Sequence, residues 1–262
     1  MNSTGKFDRD SVALKNRISA HDRFGQSNIN EWIFSNLELG AGLKILDLGC
    51  GTGKQSIPMA ELVGDSGKVT SVDISRESLD ALEQQARIQK ISSRINQVCC
   101  NLDMLKECLD NTSYDRVLGS FSLYYSKNTE LLFSVIYELL KPGGILFFCG
   151  PSMENNHELK QFHSLATKKN DLPTSEGALF MEKASQRIIK EIFDGLDVFR
   201  FENMLRFDSY EALYNYWSSY NLYDPQFEVQ FKKLAKIHFE KHSFFETTKR
   251  VIGIKAVKKL TR

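Results

Sequence analysis

Three glycines at alternate positions follow a short apolar run in the N-terminal half of the chain. Asp47 precedes Gly49, Gly51 and Gly53 within Ile45–Lys54, and the residues that follow have helical spacing. Glycine lets a backbone approach a ligand closely, because no Cβ stands in the way. A turn from a strand into a helix also presents free N–H groups where a carboxylate or a phosphate is favoured. The segment therefore predicts a binding site for an anionic group.

Two nucleotide-binding motifs do not match this segment. A Walker loop needs glycine where Leu48 stands and Ser or Thr where Gln55 stands. The dinucleotide motif G-x-G-x-x-G needs its third glycine where Lys54 stands. What remains is an acidic residue followed by glycines at every second position.

Alternating apolar segments place this turn in a parallel sheet. Five short apolar or β-branched runs are predicted strands: Leu43–Leu48, Lys68–Asp73, Ile95–Cys100, Tyr114–Gly119 and Ile145–Cys149. Helical periodicity precedes or separates them at Ile29–Leu37, Ser56–Val63, Arg76–Lys90 and Glu130–Leu140. Such alternation requires right-handed crossovers and a parallel sheet covered by helices on both faces.

Four further matches follow the glycine turn in order. Asp73 ends the second predicted strand, Asp103 follows the third, Tyr114–Tyr125 spans the fourth, and the turn Leu140–Gly144 precedes the fifth. Together with the glycines they resemble the motifs of class I S-adenosylmethionine (SAM)-dependent methyltransferases, over about Asp22–Gly150.

The resemblance implies an α/β fold with a Rossmann-like, doubly wound, seven-stranded mixed sheet. Its last two strands, predicted at Asp197–Phe207 and Thr248–Val257, form the antiparallel end. A helical segment begins the chain and a helical insertion precedes the last strand. We expect one domain, with a helical cap over residues 1–40, a SAM-binding core over 41–150 and the substrate-side helices and last strands over 151–262.

The resemblance assigns two acids to the polar ends of SAM. Asp47 and the N–H groups of Gly49, Gly51 and Gly53 face the amino-acid end, while Asp73 accepts hydrogen bonds from both ribose hydroxyls. A charged acceptor makes the stronger kind of hydrogen bond. Two plainer interpretations stay open: Asp47 as a cap near the helix start, and Asp73 as a turn residue.

The same resemblance places the adenine between two other segments. Ile74 gives it an apolar wall, Asp103 and the Met104 N–H bind its edge, and Ser120 lies in the same site after the fourth strand. Asp103 is alternatively a helix N-cap, since Asp is favoured there. Met104 departs from the small residue common at its position.

Tyr124 and Tyr125 are the candidate residues on the acceptor side. They follow the fourth strand, at the carboxyl edge of the sheet where open α/β folds bind ligands. They could orient an acceptor, or they could be half-buried packing aromatics. His21 lies in a segment that folds over the cofactor in this family, and is a weaker candidate.

The C-terminal part of the chain is aromatic and basic. Asp208–Phe245 holds 11 of the 29 aromatic residues, which either roof an acceptor pocket or pack a helical subdomain. From Val229 onward ten Lys and Arg stand against two Glu, so the chain before it carries a net charge of −7. This basic segment could attract an anionic acceptor or nucleic acid, or be a solvated face.

Composition limits the function classes. The chain has 34 Lys and Arg against 33 Asp and Glu, which excludes a generally polybasic nucleic-acid binder and an acidic tail. Polar first residues and short apolar runs predict neither a leader nor a membrane segment, and five cysteines without metal-ligand spacing predict reduced thiols in the cytoplasm. We expect no metal. His157 and His163 are predicted on the surface.

The sequence thus predicts a cytoplasmic SAM-dependent methyltransferase. Its expected acceptor is a small molecule, methylated at oxygen or nitrogen in slight preference to carbon, with no membrane partner and with nucleic acid unlikely. Two alternatives stay open: a tRNA or protein methyltransferase that uses the basic C-terminal face, and a non-catalytic SAM-binding partner or sensor.

Overall fold

The computed structural model describes residues 11–109, 112–169, 172 and 174–260. Its seven strands are β1 (Lys44–Leu48), β2 (Lys68–Asp73), β3 (Ile95–Cys99), β4 (Tyr114–Ser120), β5 (Leu140–Pro151), β6 (Asp197–Phe207) and β7 (Phe245–Val257). They form one mixed sheet in the order β3-β2-β1-β4-β5-β7-β6. The predicted fold class is confirmed.

Eleven α-helices connect or flank these strands in the described part of the chain. They are α1 (Ser11–Phe24), α2 (Ile29–Leu37), α3 (Ser56–Val63), α4 (Arg76–Ile88), α5 (Leu105–Cys108), α6 (Thr129–Leu139), α7 (His157–Thr167), α8 (Glu176–Leu179), α9 (Ser185–Ile192), α10 (Tyr210–Ser218) and α11 (Glu228–Lys241). A π-helical turn at Phe180–Ala184 joins α8 to α9. None of the described helices combines the length and the apolar character needed to cross a bilayer.

The order of the strands reverses at β1. Leu46 of β1 lies opposite Thr70 of β2 on one side and Val117 of β4 on the other, and both pairings are parallel. β5 continues the parallel part, and Phe147 then lies opposite Lys255 of the antiparallel β7. Ligands of open α/β sheets bind at the carboxyl ends of the strands where the order reverses. That point is the end of β1 and β4.

The chain divides into two compact units, which are described separately. Within the described residues, the sheet unit comprises 29–152, 176–200 and 251–260, and the aromatic unit comprises 11–28, 153–175 and 201–250. Each unit is assembled from three separate segments. The single domain expected over residues 1–262 stays a prediction.

Aromatic stacking fills the core of the aromatic unit. The rings of Trp217 and Phe231 are parallel with centroids 4.0 Å apart, and both side chains are fully buried. Trp217 Nε1 donates to His163 Nδ1 over 3.2 Å. His163 is therefore buried, and the prediction that it lies on the surface is wrong. Burial also lowers the pKa of His163, which keeps the ring in its neutral, acceptor form.

A glycine on the last strand fixes helix α2 against the sheet. A Cβ on Gly253 would lie 2.6 Å from ring atoms of both Phe147 and Trp32, whose rings meet edge to face at 5.4 Å. Near the start of α2, Asn30 Nδ2 donates to the Lys54 carbonyl oxygen and Asn30 Oδ1 accepts from Gln55 Nε2, both over 3.1 Å. The packing of α2 thereby holds the exit of the glycine turn.

One pair of cysteines departs from the expectation of reduced thiols. Cys100 and Cys108 form a disulfide, so the prediction is wrong for this pair. The 3₁₀ turn Leu102–Met104 and the short α5 fold the chain back between them, which brings two sulfurs only eight positions apart into contact. Cys50 and Cys149 are buried free thiols and Cys99 is an exposed one.

We expect Gly253→Ala to destabilise the protein, because its new Cβ would overlap two aromatic rings. Overpacking of this kind costs about 1–3 kcal/mol of unfolding free energy, measured by urea denaturation. Gly195→Ala is the matched control, since a Cβ there meets nothing within 4 Å. Equal unfolding free energies for the two variants would contradict the close packing of Trp32 against Gly253.

Candidate functional site

All three glycines of the turn after β1 have left-handed backbone conformations. Their φ angles are 73° at Gly49, 54° at Gly51 and 88° at Gly53. A Cβ on Gly49 would lie 2.3 Å from Ser122 Cβ, and one on Gly53 would lie 2.3 Å from Leu82 Cδ1. At Gly51, by contrast, a Cβ would meet nothing within 4 Å. Two glycines therefore serve packing, and the third leaves open space beside the turn.

The N–H groups of the three glycines are used within the protein. Those of Gly49 and Gly53 donate to the carbonyl oxygens of Val72 and Cys50, and that of Gly51 donates to Asp73. The prediction that these N–H groups are free to face the amino-acid end of a cofactor is therefore not met in this structure.

Asp73 holds the turn from the end of the neighbouring strand. Its Oδ2 accepts a hydrogen bond from the Gly51 N–H and its Oδ1 accepts one from the Ser75 N–H, each over 2.8 Å. A carboxylate has about four acceptor positions, so both oxygens retain capacity for further donors. The carboxylate therefore shapes the glycine turn and can still receive the two hydroxyls of a diol.

Asp47 lies beneath the turn, with 1% of its surface exposed. Its Oδ2 accepts the Ser56 hydroxyl over 2.6 Å, and Ser71 Oγ donates to Ser56 Oγ over 2.8 Å. Burial raises the pKa of Asp47 to about 7, against the opposing effect of the Ser56 hydrogen bond, and the charge of Asp73 raises it further. Asp47 supports the turn from inside; its contact with the amino-acid end of a cofactor stays a prediction.

Two residues at the predicted adenine site have exposed side chains. Ile74, directly after β2, is 69% exposed, and Met104, after β3, is 49% exposed. The Met104 N–H, predicted to bind the adenine edge, donates to the Asn101 carbonyl oxygen over 2.8 Å.

Asp103 is tied to the segment that follows β4. Its Oδ1 accepts the Ser126 hydroxyl over 2.6 Å and the Lys127 N–H over 3.0 Å. These hydrogen bonds, with that of Ser126 the largest, lower the pKa of Asp103. Asn101, not Asp103, caps the 3₁₀ turn, because Asn101 Oδ1 accepts the Asp103 N–H. The N-cap interpretation of Asp103 is therefore wrong, and its role towards adenine stays a prediction.

The residues after β4 complete this edge of the sheet. Ser120 Oγ lies 3.7 Å from Cys149 Sγ, and Ser122 Oγ donates to the Leu48 carbonyl oxygen of β1. Between them Phe121 has a φ of 56°, a left-handed conformation that is uncommon for a bulky residue. Such strain is often found at functional sites, and here it turns the chain sharply above the end of β1.

The two tyrosines differ in their surroundings. A Cβ on either Gly150 or Gly177 would lie 3.1 Å from the Tyr124 ring, so the ring fits between two glycines, and Phe180 meets it edge-on. Tyr124 is therefore a packing aromatic, whatever else it does. Tyr125 contacts the Tyr124 ring at 4.7 Å but is 54% exposed, and is the better placed of the two to meet an acceptor.

His21 belongs to the aromatic unit, where its ring meets that of Tyr216 edge to face at 5.8 Å. Its predicted part in the site stays a prediction. Among the described residues, no cluster of three or more His, Cys, Asp and Glu side chains is arranged to hold a metal ion.

Sequence reasoning missed several residues that shape the site. Ser122 fills the space above Gly49, Ser126 holds Asp103, and Asn30 holds the exit of the turn. Ser75 caps α4 by accepting the Ser78 N–H, and only this role had a local signal, a serine directly before a helical pattern. The other three act across the chain.

Comparison with known proteins agrees with this geometry. A family model described as a methyltransferase domain matches residues 39–205. The chain belongs to this methyltransferase family. Its strand order and fold are those of the class I, SAM-dependent members, and SAM is the cofactor of the family.

One relative is the ubiquinone/menaquinone biosynthesis C-methyltransferase UbiE of Haemophilus ducreyi. It is 32% identical over 153 residues, which is 57% of this chain and 57% of that protein. The chain thus matches little more than half the length of this relative.

Solved structures share the fold of this methyltransferase-family chain. The YcgJ protein of Bacillus subtilis has a TM-score of 0.59 at 12% identity, covering 88% of this chain and 98% of its own. A Haemonchus contortus phosphoethanolamine N-methyltransferase 2, in complex with phosphomonomethylethanolamine and S-adenosylhomocysteine, has a TM-score of 0.55 at 17% identity, covering 88% of this chain and 52% of its own. At these identities the likeness concerns the fold alone.

The residues of the turn fit the family's cofactor. The space at Gly51 is one that a Cβ would enter, both Asp73 oxygens retain acceptor capacity, and Ile74 and Met104 expose apolar surface.

Asp47→Asn should change how stability depends on pH. Since the pKa of Asp47 is higher in the folded than in the unfolded chain, the folded state binds the extra proton and loses stability as pH rises from about 4 towards 7. Each unit of this pKa difference is worth about 1.4 kcal/mol. We expect the unfolding free energy of Asp47→Asn, measured by urea titration, to rise relative to the parent between pH 5 and pH 8. Asp80→Asn, at an exposed position, is the control. If the unfolding free energies of all three proteins changed with pH in parallel, the raised pKa of Asp47 would be contradicted.

Gly51→Ala should lose cofactor binding while remaining folded. Its Cβ enters the open space beside the turn, and the left-handed backbone costs about 1 kcal/mol. Gly42→Ala is the control, because Gly42 also has a positive φ and a Cβ there would meet only Ser66 Oγ, at an ordinary 3.5 Å, before the start of β1. We expect S-adenosylhomocysteine affinity, measured by calorimetry, to fall at least about tenfold for Gly51→Ala alone. Equal affinities would place the cofactor elsewhere.

Proposed function

We propose that the protein transfers the methyl group of SAM to a small-molecule acceptor. The observation that carries this proposal is the glycine turn, held from β2 by Asp73 Oδ2, at the point where the strand order reverses. The match of residues 39–205 to a methyltransferase domain supports it.

The residues of the sheet unit divide the binding of SAM among them. Asp73 would accept the ribose hydroxyls, and the open space at Gly51 would receive the amino-acid end. Ile74 would give the adenine an apolar wall, with Asp103 and Met104 at its edge. When bound, SAM supplies a methyl group on a positively charged sulfur. The protein's own contribution is then to hold an acceptor in line with that group and to exclude water.

The end of β4 favours an acceptor that needs little help to become a nucleophile. The segment Ser120–Ser126 carries hydroxyl groups but no carboxylate or imidazole, which are the usual general bases. An amine or an ionised hydroxyl needs none, so we propose O- or N-methylation. UbiE of Haemophilus ducreyi is named a C-methyltransferase, and methylation at carbon is the competing outcome that product analysis distinguishes.

The contacts of the basic C-terminal segment favour a small acceptor over tRNA or protein. Four of its ten basic residues are in ion pairs with carboxylates among the described residues, namely Lys232–Glu228, Arg250–Glu158, Lys255–Glu38 and Lys259–Asp194. Paired cations contribute less to a field that would attract a polyanion. A non-catalytic SAM-binding partner remains the second alternative, and it predicts binding without turnover.

Asp73→Ala should weaken S-adenosylhomocysteine binding by at least about tenfold, since a charged acceptor of hydrogen bonds is lost together with the support of Gly51. Calorimetry on the purified full chain measures this affinity. Asp80→Ala, on the exposed side of α4, is the control and should bind as the parent does.

Turnover distinguishes the proposal from its alternatives. A panel of amines, phenols and other hydroxyl compounds, assayed for SAM-dependent release of S-adenosylhomocysteine, should contain an acceptor whose methylated product mass spectrometry identifies. Absence of binding to both SAM and S-adenosylhomocysteine would refute the function. Binding with turnover only on tRNA or protein would refute the small-molecule acceptor.

A further inference from the structure

The Cys100–Cys108 disulfide encloses part of the proposed cofactor site. The loop between the two cysteines contains the 3₁₀ turn Leu102–Met104 and helix α5. Asp103 and Met104, the two residues proposed to bind the edge of the adenine, therefore lie within a covalently closed ring of the chain. The roles described above for the glycine turn and for the residues after β4 do not involve this disulfide.

The two sulfurs of the bond differ in access. Cys100 follows β3 and is 5% exposed, whereas Cys108 ends α5 and is exposed. A thiol in solution can therefore approach the Cys108 Sγ but not the Cys100 Sγ. Attack on the outer sulfur makes Cys100 the leaving group.

The other attachments of the ring lie mostly before its last residues. Asp103 binds the segment after β4, Leu102 and Leu105 pack in the core, and the exposed Lys106 pairs with Glu138, but α5 has only four residues. A helix this short is not stable alone, because nucleation fixes several residues for one hydrogen bond. The disulfide therefore holds the far end of the loop to the end of β3.

Cys100, the buried cysteine of the pair, has two carbonyl oxygens nearby that can accept a hydrogen bond from its thiol form. Cys100 Sγ lies 3.2 Å from the Asn101 carbonyl oxygen and 3.5 Å from that of Met104. A thiol at Cys100 could donate to either, so the reduced chain keeps a satisfied polar group beside the turn. Reduction then loosens the loop without exposing a buried charge.

We propose that Cys100–Cys108 is a thiol–disulfide exchange site for a dithiol, and that the oxidised form binds SAM more tightly than the reduced form. The inference rests on the proposed function, because it concerns the affinity of the same site. The loop must be ordered before it can bind adenine, and the disulfide provides that order in advance.

The exchange balances in two steps. A thiolate of the dithiol attacks Cys108 Sγ, forms a mixed disulfide and breaks the Cys100–Cys108 bond, whose electron pair leaves on Cys100 and takes up a proton. The second thiol of the dithiol then attacks the dithiol sulfur that is bonded to Cys108. The mixed disulfide breaks, and Cys108 is released as a thiol. Two electrons and two protons pass from the dithiol, now a cyclic disulfide, to the protein.

Calorimetry with S-adenosylhomocysteine tests the proposal on the full chain, oxidised or reduced with dithiothreitol. Alkylation and mass spectrometry verify the state of each cysteine. We expect the dissociation constant to rise about three- to tenfold on reduction, since several residues must be reordered on binding. Cys108→Ser should bind S-adenosylhomocysteine with the affinity of the reduced parent, and dithiothreitol should not change that affinity. Cys99→Ser, which removes the neighbouring exposed thiol, should respond as the parent does.

The outcomes separate this inference from the function on which it rests. If neither form binds S-adenosylhomocysteine or SAM, the proposed function fails. If both forms bind with the same affinity, or if Cys100 and Cys108 alkylate fully after treatment with an oxidised dithiol, the function stands and the exchange site is refuted. The measurement on the reduced parent remains decisive even if Cys108→Ser does not fold.

Discussion

The candidate site depends on the close approach of two backbone segments at the end of β1. Gly49 passes so close to Ser122 that no side chain fits, and Ser122 in turn donates to the Leu48 carbonyl oxygen at the end of β1. This contact joins β1 to the segment after β4, where the strand order reverses. With the backbone fixed there, the next glycine in the turn can present an N–H to Asp73 and leave open space beside itself. A bulkier turn would close that space, so the geometry of the whole site follows from one close approach.

Carboxylates in this site do structural work as well as binding. Asp47 is buried against Ser56, Asp73 holds the turn and the start of α4, and Asp103 links the turn after β3 to the segment after β4. Because each acid is held by its own donors, the three are placed before any ligand arrives. Preorganised groups bind more tightly, since less order must be created on binding. The disulfide adds a covalent constraint to the loop that carries Asp103.

Several aromatic residues of the C-terminal part pack the core of the aromatic unit. Trp217 and Phe231 stack in the core of the aromatic unit, and Tyr216 Oη accepts from Asn156 Nδ2 within it. Tyr124 in the sheet unit is likewise enclosed, between Gly150 and Gly177. Aromatic content in a chain is thus first a matter of packing, since large rings bury the most apolar surface per residue. Tyr125, by contrast, is exposed.

The sequence by itself determined the order of helices and strands along the chain and the positions of the acids. Alternating apolar runs and helical periods are local signals, and they predicted α2, α3, β2 and β6 with the bounds that the structure has. The spacing of the glycines and the positions of Asp47 in β1, Asp73 at the end of β2 and Asp103 after β3 are also visible in the sequence itself. What only the tertiary structure decided was which side chains meet: Asp103 with Ser126, Cys100 with Cys108, His163 with Trp217 and Tyr124 with two glycines. These contacts join residues on separate turns or elements, and their partners are set by packing and burial rather than by any period along the chain.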